Sequence, residues 1–248
     1  MRSIEHAGSN LNAYRNPCDD IPSCEKEKYY KDNSIKDKVY FRNLKDHLIR
    51  HIEEAEAVVG CVAWITNHDI IDALAKKKVA MIAIQKEDFL RPDICNRQEW
   101  AKVLREDYSR LSAHYRYTFD NTMVCNSSIC GDPGFDAVRC VGNYNFDKEA
   151  TSPKMHNKFL VFGSIVINSD SDIEGTEDNR EIGFSPTAVW TGSFNFTNNA
   201  IFSFENALYI TDPEIVQAYY QEWGHIYAIS EPLDWETPWV APEWRIGT

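Results

Sequence analysis

His156-Asn157-Lys158-Phe159-Leu160-Val161-Phe162, followed 34 residues after Lys158 by Gly192-Ser193-Phe194-Asn195 and then by Glu205-Asn206, is the part of this chain that decides its reading. It gathers an imidazole, an amine, a carboxamide and a carboxylate within about 50 residues, and no other His stands two positions before a Lys. The apolar run from Lys158 to Phe162 predicts a strand. Ala188-Val189-Trp190-Thr191 predicts a second strand leading into Gly192, and Glu205 to Ile210 a third. Side chains alternate faces along extended backbone, so His156 and Lys158 should point the same way, as should Ser193 and Asn195. A nucleophilic imidazole beside a cation and an amide donor is the chemistry of a phosphate site.

Taken singly, His-x-Lys is a weak pattern. Gly-Ser-x-Asn-Phe-Thr behind one β-type run, with an acid opening the next, is far more specific. Together these residues resemble the half-site of the phospholipase D superfamily, and most of all its small bacterial nucleases with one motif per chain. The resemblance covers roughly residues 36–230. It implies a mixed β-sheet sandwiched by helices, with His156, Lys158, Asn195 and Glu205 as catalytic residues and Ser193 and Gly192 as substrate contacts. It also implies a homodimer that brings two copies of the half-site into one cleft. The chain departs from the family pattern at Gly163, where an Asp is usual five residues after the Lys; the departure bears on a local turn and its hydrogen bonds rather than on the chemistry.

The residues support roles of their own. His156 as a neutral imidazole can attack phosphorus, and Lys158 can neutralise the non-bridging oxygens. Asn195 offers an amide donor. Glu205 can accept the second ring N–H of a His and fix its tautomer. Gly192 lets backbone approach closely. Ser193 fits either a phosphate contact or a cap for the Thr197-Asn198-Asn199-Ala200 turn, and Asn206 reads as structural. One imidazole bonded to phosphorus cannot also protonate the leaving group, so the chemistry asks for a second His, and two-fold dimers are the commonest assembly. His47, His51, His68, His114 and His225 lack a companion Lys and read as helix-face or surface residues.

Working outward, the apolar positions Phe41, Leu44, Leu48, Ile52 and Ala55 predict one face of a helix, followed by a strand from Val58 to Ile65. Thr66-Asn67 offers an N-cap for a helix through Ile70, Ile71 and Leu74 that ends in Lys76-Lys77-Lys78, and Val79 to Ile84 is a second buried strand. That βαβ unit requires parallel neighbours. Trp100, Val103, Leu104, Tyr108 and Leu111 predict another helix, 122–134 an irregular excursion, and Ala137 to Val141 a strand. Ser164 to Asn168 is expected to turn back as a hairpin partner of the Lys158 strand. Residues 168–186, rich in acids, read as a long loop whose ends lie near the cleft and which a regulatory partner could move as a gate. Pro213 opens a helix through Tyr227. Residues 1–35 read as a polar segment and 231–248, with three Trp and three Pro, as an irregular strap.

The chain has 248 residues, 43% of them apolar and 26% charged, which fits one globular domain. Its net charge of −12 argues against coating nucleic acid non-specifically but allows a nuclease with a local basic cleft. No apolar run is long enough to span a bilayer and no export signal is visible, so stable membrane insertion is not expected and a cytoplasmic location is. Seven Cys, without C-x-x-C pairs, are expected to be free thiols; the pairs at 18/24 and 125/130, C-x5-C and C-x4-C, lack further ligands for a metal. No cofactor is expected. The leading function is a metal-independent nuclease that cleaves DNA or RNA through a phosphohistidine. A cardiolipin-type phospholipid hydrolase is the second reading and a catalytically inactive dimeric scaffold the third.

Overall fold

A computed structural model describes residues 37–91, 93, 99–113, 136–145, 153–168 and 181–241. The polar segment 1–35, the excursion at 122–134 and most of the acidic stretch lie outside those residues. The elements in chain order are β1 (Lys38–Tyr40), α1 (Leu44–Glu54), β2 (Ala57–Val62), α2 (His68–Ala75), β3 (Val79–Gln85), α3 (Glu99–Tyr108), β4 (Val138–Val141), β5 (Lys158–Asn168), β6 (Glu181–Gly192), α4 (Asn198–Ile201), β7 (Ala207–Ile210) and α5 (Pro213–Ala228). The strands form one seven-stranded sheet in the order β1-β7-β6-β5-β2-β3-β4. It is mixed: β2, β3 and β4 run parallel, while β5 is antiparallel to β2, and β6, β7 and β1 continue antiparallel.

Helices cover both faces, as the resemblance implies. Alternation along β2 sends Val58 and Val62 to one face, against Leu48 and Ile52 of α1 and Ile70 and Leu74 of α2. Ala57, Val59 and Cys61 go to the other, against Val216, Tyr220, Trp223 and Tyr227 of α5. A strand buried on both sides has to be apolar throughout, which explains why β2 and β3 read as continuous runs. The expected cap is present: Asn67 accepts from the Ile70 N–H at 3.1 Å. Cys61 and Cys140 are free and buried; burial pushes the Cys140 thiol up to about 12.

Several expectations need correction. Phe41 lies outside α1 and is 52% exposed. The buried face of α3 is Ala101, Leu104 and Tyr108, while Trp100 and Val103 look outward. His51 is no surface residue: it is buried and stacked on Tyr209 at a centroid distance of 3.8 Å, and burial holds its pKa down at about 4. Ser164 to Asn168 does not turn back. It prolongs β5, whose partner is β6, paired from Phe159↔Thr191 to Asn168↔Glu181. Residues 181–186, expected in the loop, are therefore strand. Their alternating polar side chains hid it, because β2 pairs with β5 only as far as Gly163 and the rest is a two-stranded ribbon.

Gly163 sits at an irregularity in that ribbon, where pairing passes from Phe162↔Ala188 to Gly163↔Pro186 and leaves Thr187 as the extra residue. The expected local turn is thus a bulge inside a strand. A Cβ at Gly163 would lie 2.4 Å from the Ser185 carbonyl oxygen and 2.6 Å from Phe184 Cζ, so the bulge leaves no space for an Asp.

The same topology rules out the geometry proposed for the acidic gate. Asn168 and Glu181 stand ten residues up the ribbon from the His156 end, about 33 Å away at ~3.3 Å per residue. The ends of the acidic segment therefore lie at the far end of the ribbon from the motifs and not near the cleft as expected.

Candidate active site

One rim of the sheet carries both motifs. The antiparallel register that opposes Phe159 to Thr191 sets Lys158, at the start of β5, beside Gly192, at the end of β6; Gly192 in turn pairs with Ala207 of β7. On the other side of β5 the rim continues with the C-terminal ends of β2, β3 and β4. Crossovers close it: the Ala63 N–H donates to the Asn157 carbonyl at 2.8 Å, and the Phe196 N–H to the Trp64 carbonyl at 3.1 Å.

His156 lies just before β5, in irregular backbone, so strand alternation does not align it with Lys158. What unites them is Trp64, an indole that sequence reasoning passed over. Its ring meets the His156 imidazole edge-on at 5.3 Å and lies 5.9 Å from Lys158 Nζ and 5.9 Å from Lys154 Nζ, within reach of a cation–π attraction. Trp64 is itself fixed by its Nε1–H, which donates to Glu87 at 2.9 Å. Burial raises the Glu87 carboxyl, opposed by that hydrogen bond and by Lys154. His156 is exposed, and its pKa is lowered by partial desolvation first and then by the two lysines. Lys158 is only 8% exposed and donates to the His156 carbonyl at 2.8 Å. Desolvation lowers its pKa, and the charge of Glu205 works the other way.

The second motif is built by close approach of β7 to β6. A Cβ on Gly192 would lie 2.2 Å from the Asn206 carbonyl oxygen, so the backbone contact this glycine permits is with its neighbouring strand. The Ser193 N–H donates to the Asn206 carbonyl, and the Asn206 N–H to Ser193 Oγ, both at 3.1 Å. The Ser193 hydroxyl donates to Glu205. Ser193 therefore does not cap the following helix; Thr197 does, accepting from the Ala200 N–H. Glu205 has Ser193 as its described hydrogen-bond partner, and no contact with His156 of the same chain is described. Asn195 holds its Oδ1 buried without a hydrogen-bond partner among the described residues. An unspent carboxamide in this position can turn its donor to a phosphate oxygen.

Gln85, at the end of β3, is another residue the sequence did not flag. It is 1% exposed and spends its whole carboxamide on the rim: Nε2 donates to the Lys86 and Asn143 carbonyls, and Oε1 accepts from the Met155 N–H at 2.8 Å. It anchors the residue before His156. Gly142, at a φ of 95°, leaves room for it, since a Cβ there would lie 2.4 Å from Gln85 Oε1. Beneath, Lys86 is fully buried and bonded at 2.5 Å to Glu231, and to the carbonyls of Thr237 and Trp239. Among the described residues no three His, Cys, Asp or Glu side chains are grouped to hold a metal, and no helix is long and apolar enough to cross a membrane.

Fold and site together define a class: a helix-covered mixed sheet with one His-x-Lys and one Gly-Ser-x-Asn on a common rim, the arrangement that the phospholipase D resemblance implies. No family model matches the chain. It is 33% identical over 218 residues, 83% of this chain and 69% of the other, to the uncharacterized protein L381 of Acanthamoeba polyphaga mimivirus, and belongs to the same family as that protein. Among solved structures it is similar to NucT from Helicobacter pylori, with a TM-score of 0.46 and 14% identity over 79% of this chain and 97% of that one. It is also similar to the phospholipase D family member Nuc from Salmonella typhimurium, with a TM-score of 0.43 and 15% identity over 79% of this chain and 95% of that one.

Proposed function

We propose that this protein is a phosphodiesterase, a nuclease that cleaves DNA or RNA through a covalent phosphohistidine on His156. The observation that carries the reading is the meeting of His156 and Lys158 on Trp64, beside the Ser193–Glu205 pair and the unspent Asn195 carboxamide. Neutral His156 Nε2 or Nδ1 attacks phosphorus as the P–O bond to the leaving oxygen breaks, and Lys158 and Asn195 stabilise the charge on the non-bridging oxygens. The leaving oxygen takes a proton from a second imidazole, and water then cleaves the P–N bond. One chain supplies one such His-x-Lys, so the working unit is a homodimer with both His156 side chains in one cleft.

Purified protein assayed with EDTA on single- and double-stranded DNA, RNA and cardiolipin tests this reading. The expected result is nucleic-acid cleavage with an almost unchanged rate in chelator, by a species that sizes as a dimer. A strict need for a divalent ion would overturn the mechanism, and full activity in a monomer would overturn the shared cleft. Cleavage of cardiolipin alone would move the protein to the phospholipid reading.

The electrostatics set a pH profile. The rate requires one His156 neutral to attack and the other protonated to release the leaving oxygen, so it rises and then falls with pH around a pKa that lies below the ordinary His value. A further fall at higher pH follows loss of the Lys158 proton, through a pKa below the ordinary Lys value. Glu205 raises the Lys158 pKa; Glu205→Gln is expected to move this last, alkaline limb to lower pH and leave the two His limbs in place. An unmoved alkaline limb would dissociate Glu205 from Lys158.

A further inference from the structure

Next to the half-site the rim carries a surface that phosphoryl chemistry does not use. Because Tyr40 pairs with Ala207, the residues after β1 stand beside the residues before β7, and so next to Ser193 and Glu205. Three phenylalanines are exposed here: Phe41 at 52%, Phe202 at 46% and Phe204 at 55%. The Arg42 guanidinium lies 4.9 Å over the Phe204 ring. Between the first turn of α1 and the segment from Phe194 to Ser203 is a hollow of about 260 Å³. Phe41, Leu44, Phe194 and Ile201 give it apolar walls, and Asn43, Lys45 and Asp46 bring polar groups to its lining.

Asn43 makes the hollow informative. It occupies the N-cap position of α1, where Asn normally accepts from a backbone N–H of the first turn, yet its side chain makes no cap bond. It is also the one described non-glycine residue with positive φ, at 54°. A left-handed residue that leaves its carboxamide unused by the helix keeps two donors and an acceptor for something else.

We infer that this hollow receives one unpaired nucleobase of the strand being cleaved, with the neighbouring exposed aromatic rings as stacking surfaces. The inference rests on the nuclease reading and narrows its substrate to single-stranded or locally unpaired nucleic acid. A base has flat apolar faces for Phe41 and a donor-and-acceptor edge for Asn43 and Asp46. An acyl chain would leave those polar groups facing hydrocarbon; a phosphate would meet Asp46, while Lys45, also in the lining, is already paired with Asp69 at 2.7 Å. A paired base offers neither its faces nor its Watson–Crick edge. Phe194 links hollow and chemistry, since it stands between Ser193 and Asn195 in the chain and forms a wall of the hollow.

The test is an abasic scan. Short single strands of DNA and RNA, each lacking one base at a successive position around the cleaved bond, are compared with the intact strand and with a duplex of the same sequence. Loss of one base at a single position is expected to lower kcat/KM roughly tenfold. Phe41→Ala should lower kcat/KM on the intact strand by a similar factor and abolish the positional dependence; circular dichroism confirms that this exposed substitution leaves the fold intact. If the intact strand is cleaved but the scan is flat, or the duplex is cleaved as fast as the single strand, the base-binding role is overturned while the nuclease reading stands. If no strand is cleaved, the nuclease reading itself has failed, and the base-binding role falls with it.

Discussion

In the His156→Ala protein, phosphodiester cleavage is expected to fall by at least about 10⁴-fold, because the variant removes the group that bonds to phosphorus and no neighbour can replace it. Lys158 and Asn195 would remain to bind the phosphate, so KM should change much less than kcat. His156 is exposed and outside any strand, and its described contacts are the edge-on meeting with Trp64 and a backbone carbonyl that accepts from Lys158. Only the first is lost in the variant, so thermal unfolding should shift little, within about 0.5 kcal/mol. In a dimer with a shared cleft, mixing wild-type and variant chains should give heterodimers with far less than half the wild-type rate per dimer. A folded His156→Ala protein with full activity would remove His156 from the chemistry.

Placing at position 163 the Asp of the phospholipase D pattern that the chain resembles is expected to do harm. Gly163→Asp places a Cβ 2.4 Å from the Ser185 carbonyl oxygen and 2.6 Å from Phe184 Cζ. The ring can swing away, but the carbonyl belongs to the ladder and moves only if β5 and β6 part. Steric strain and a carboxylate pressed against an aromatic ring together should cost about 3 kcal/mol or more. Urea unfolding measures it, with Gly163→Ala showing the steric part alone. An unchanged midpoint for both variants would mean that the bulge yields without cost. Because this bulge lies five residues past Lys158, cleavage by whatever fraction stays folded should keep its rate per folded molecule.

How far the sequence was legible depends on what each segment buries. The βαβ unit was readable because β2 and β3 are buried on both faces and α2 carries its Asn67 cap, so periodicity and capping agree. The two motifs were readable as residue types at fixed spacing. The ribbon beyond Gly163 was not, because it pairs outside the seven-stranded body and its Ser, Gly and Pro residues look like loop. Trp64 and Gln85 were also missed, for a different reason. Each acts through a partner distant in the chain, Trp64 through His156 and Glu87, and Gln85 through Asn143 and Met155, and no local pattern marks such a link. His51 does stand on a helix face, but the burial of that face was not legible, because it depends on Tyr209, which only the β7 pairing brings near.

The buried ammonium of Lys86 sets an order of events for a chain emerging from the ribosome. Its counter-charge, Glu231, follows 145 residues later, and the carbonyls of Thr237 and Trp239 later still. N-terminal segments have time to fold during synthesis, and the β2–α2–β3 unit can begin to assemble early. Lys86 cannot be sealed from water without a large penalty until residues 231–239 have appeared. Lys86 directly follows Gln85, whose carboxamide holds Met155 and so the approach to His156. A ribosome-bound chain would therefore carry every residue of the half-site while its rim was still open, and the cutting edge would be completed only after residues 231–239 have been made.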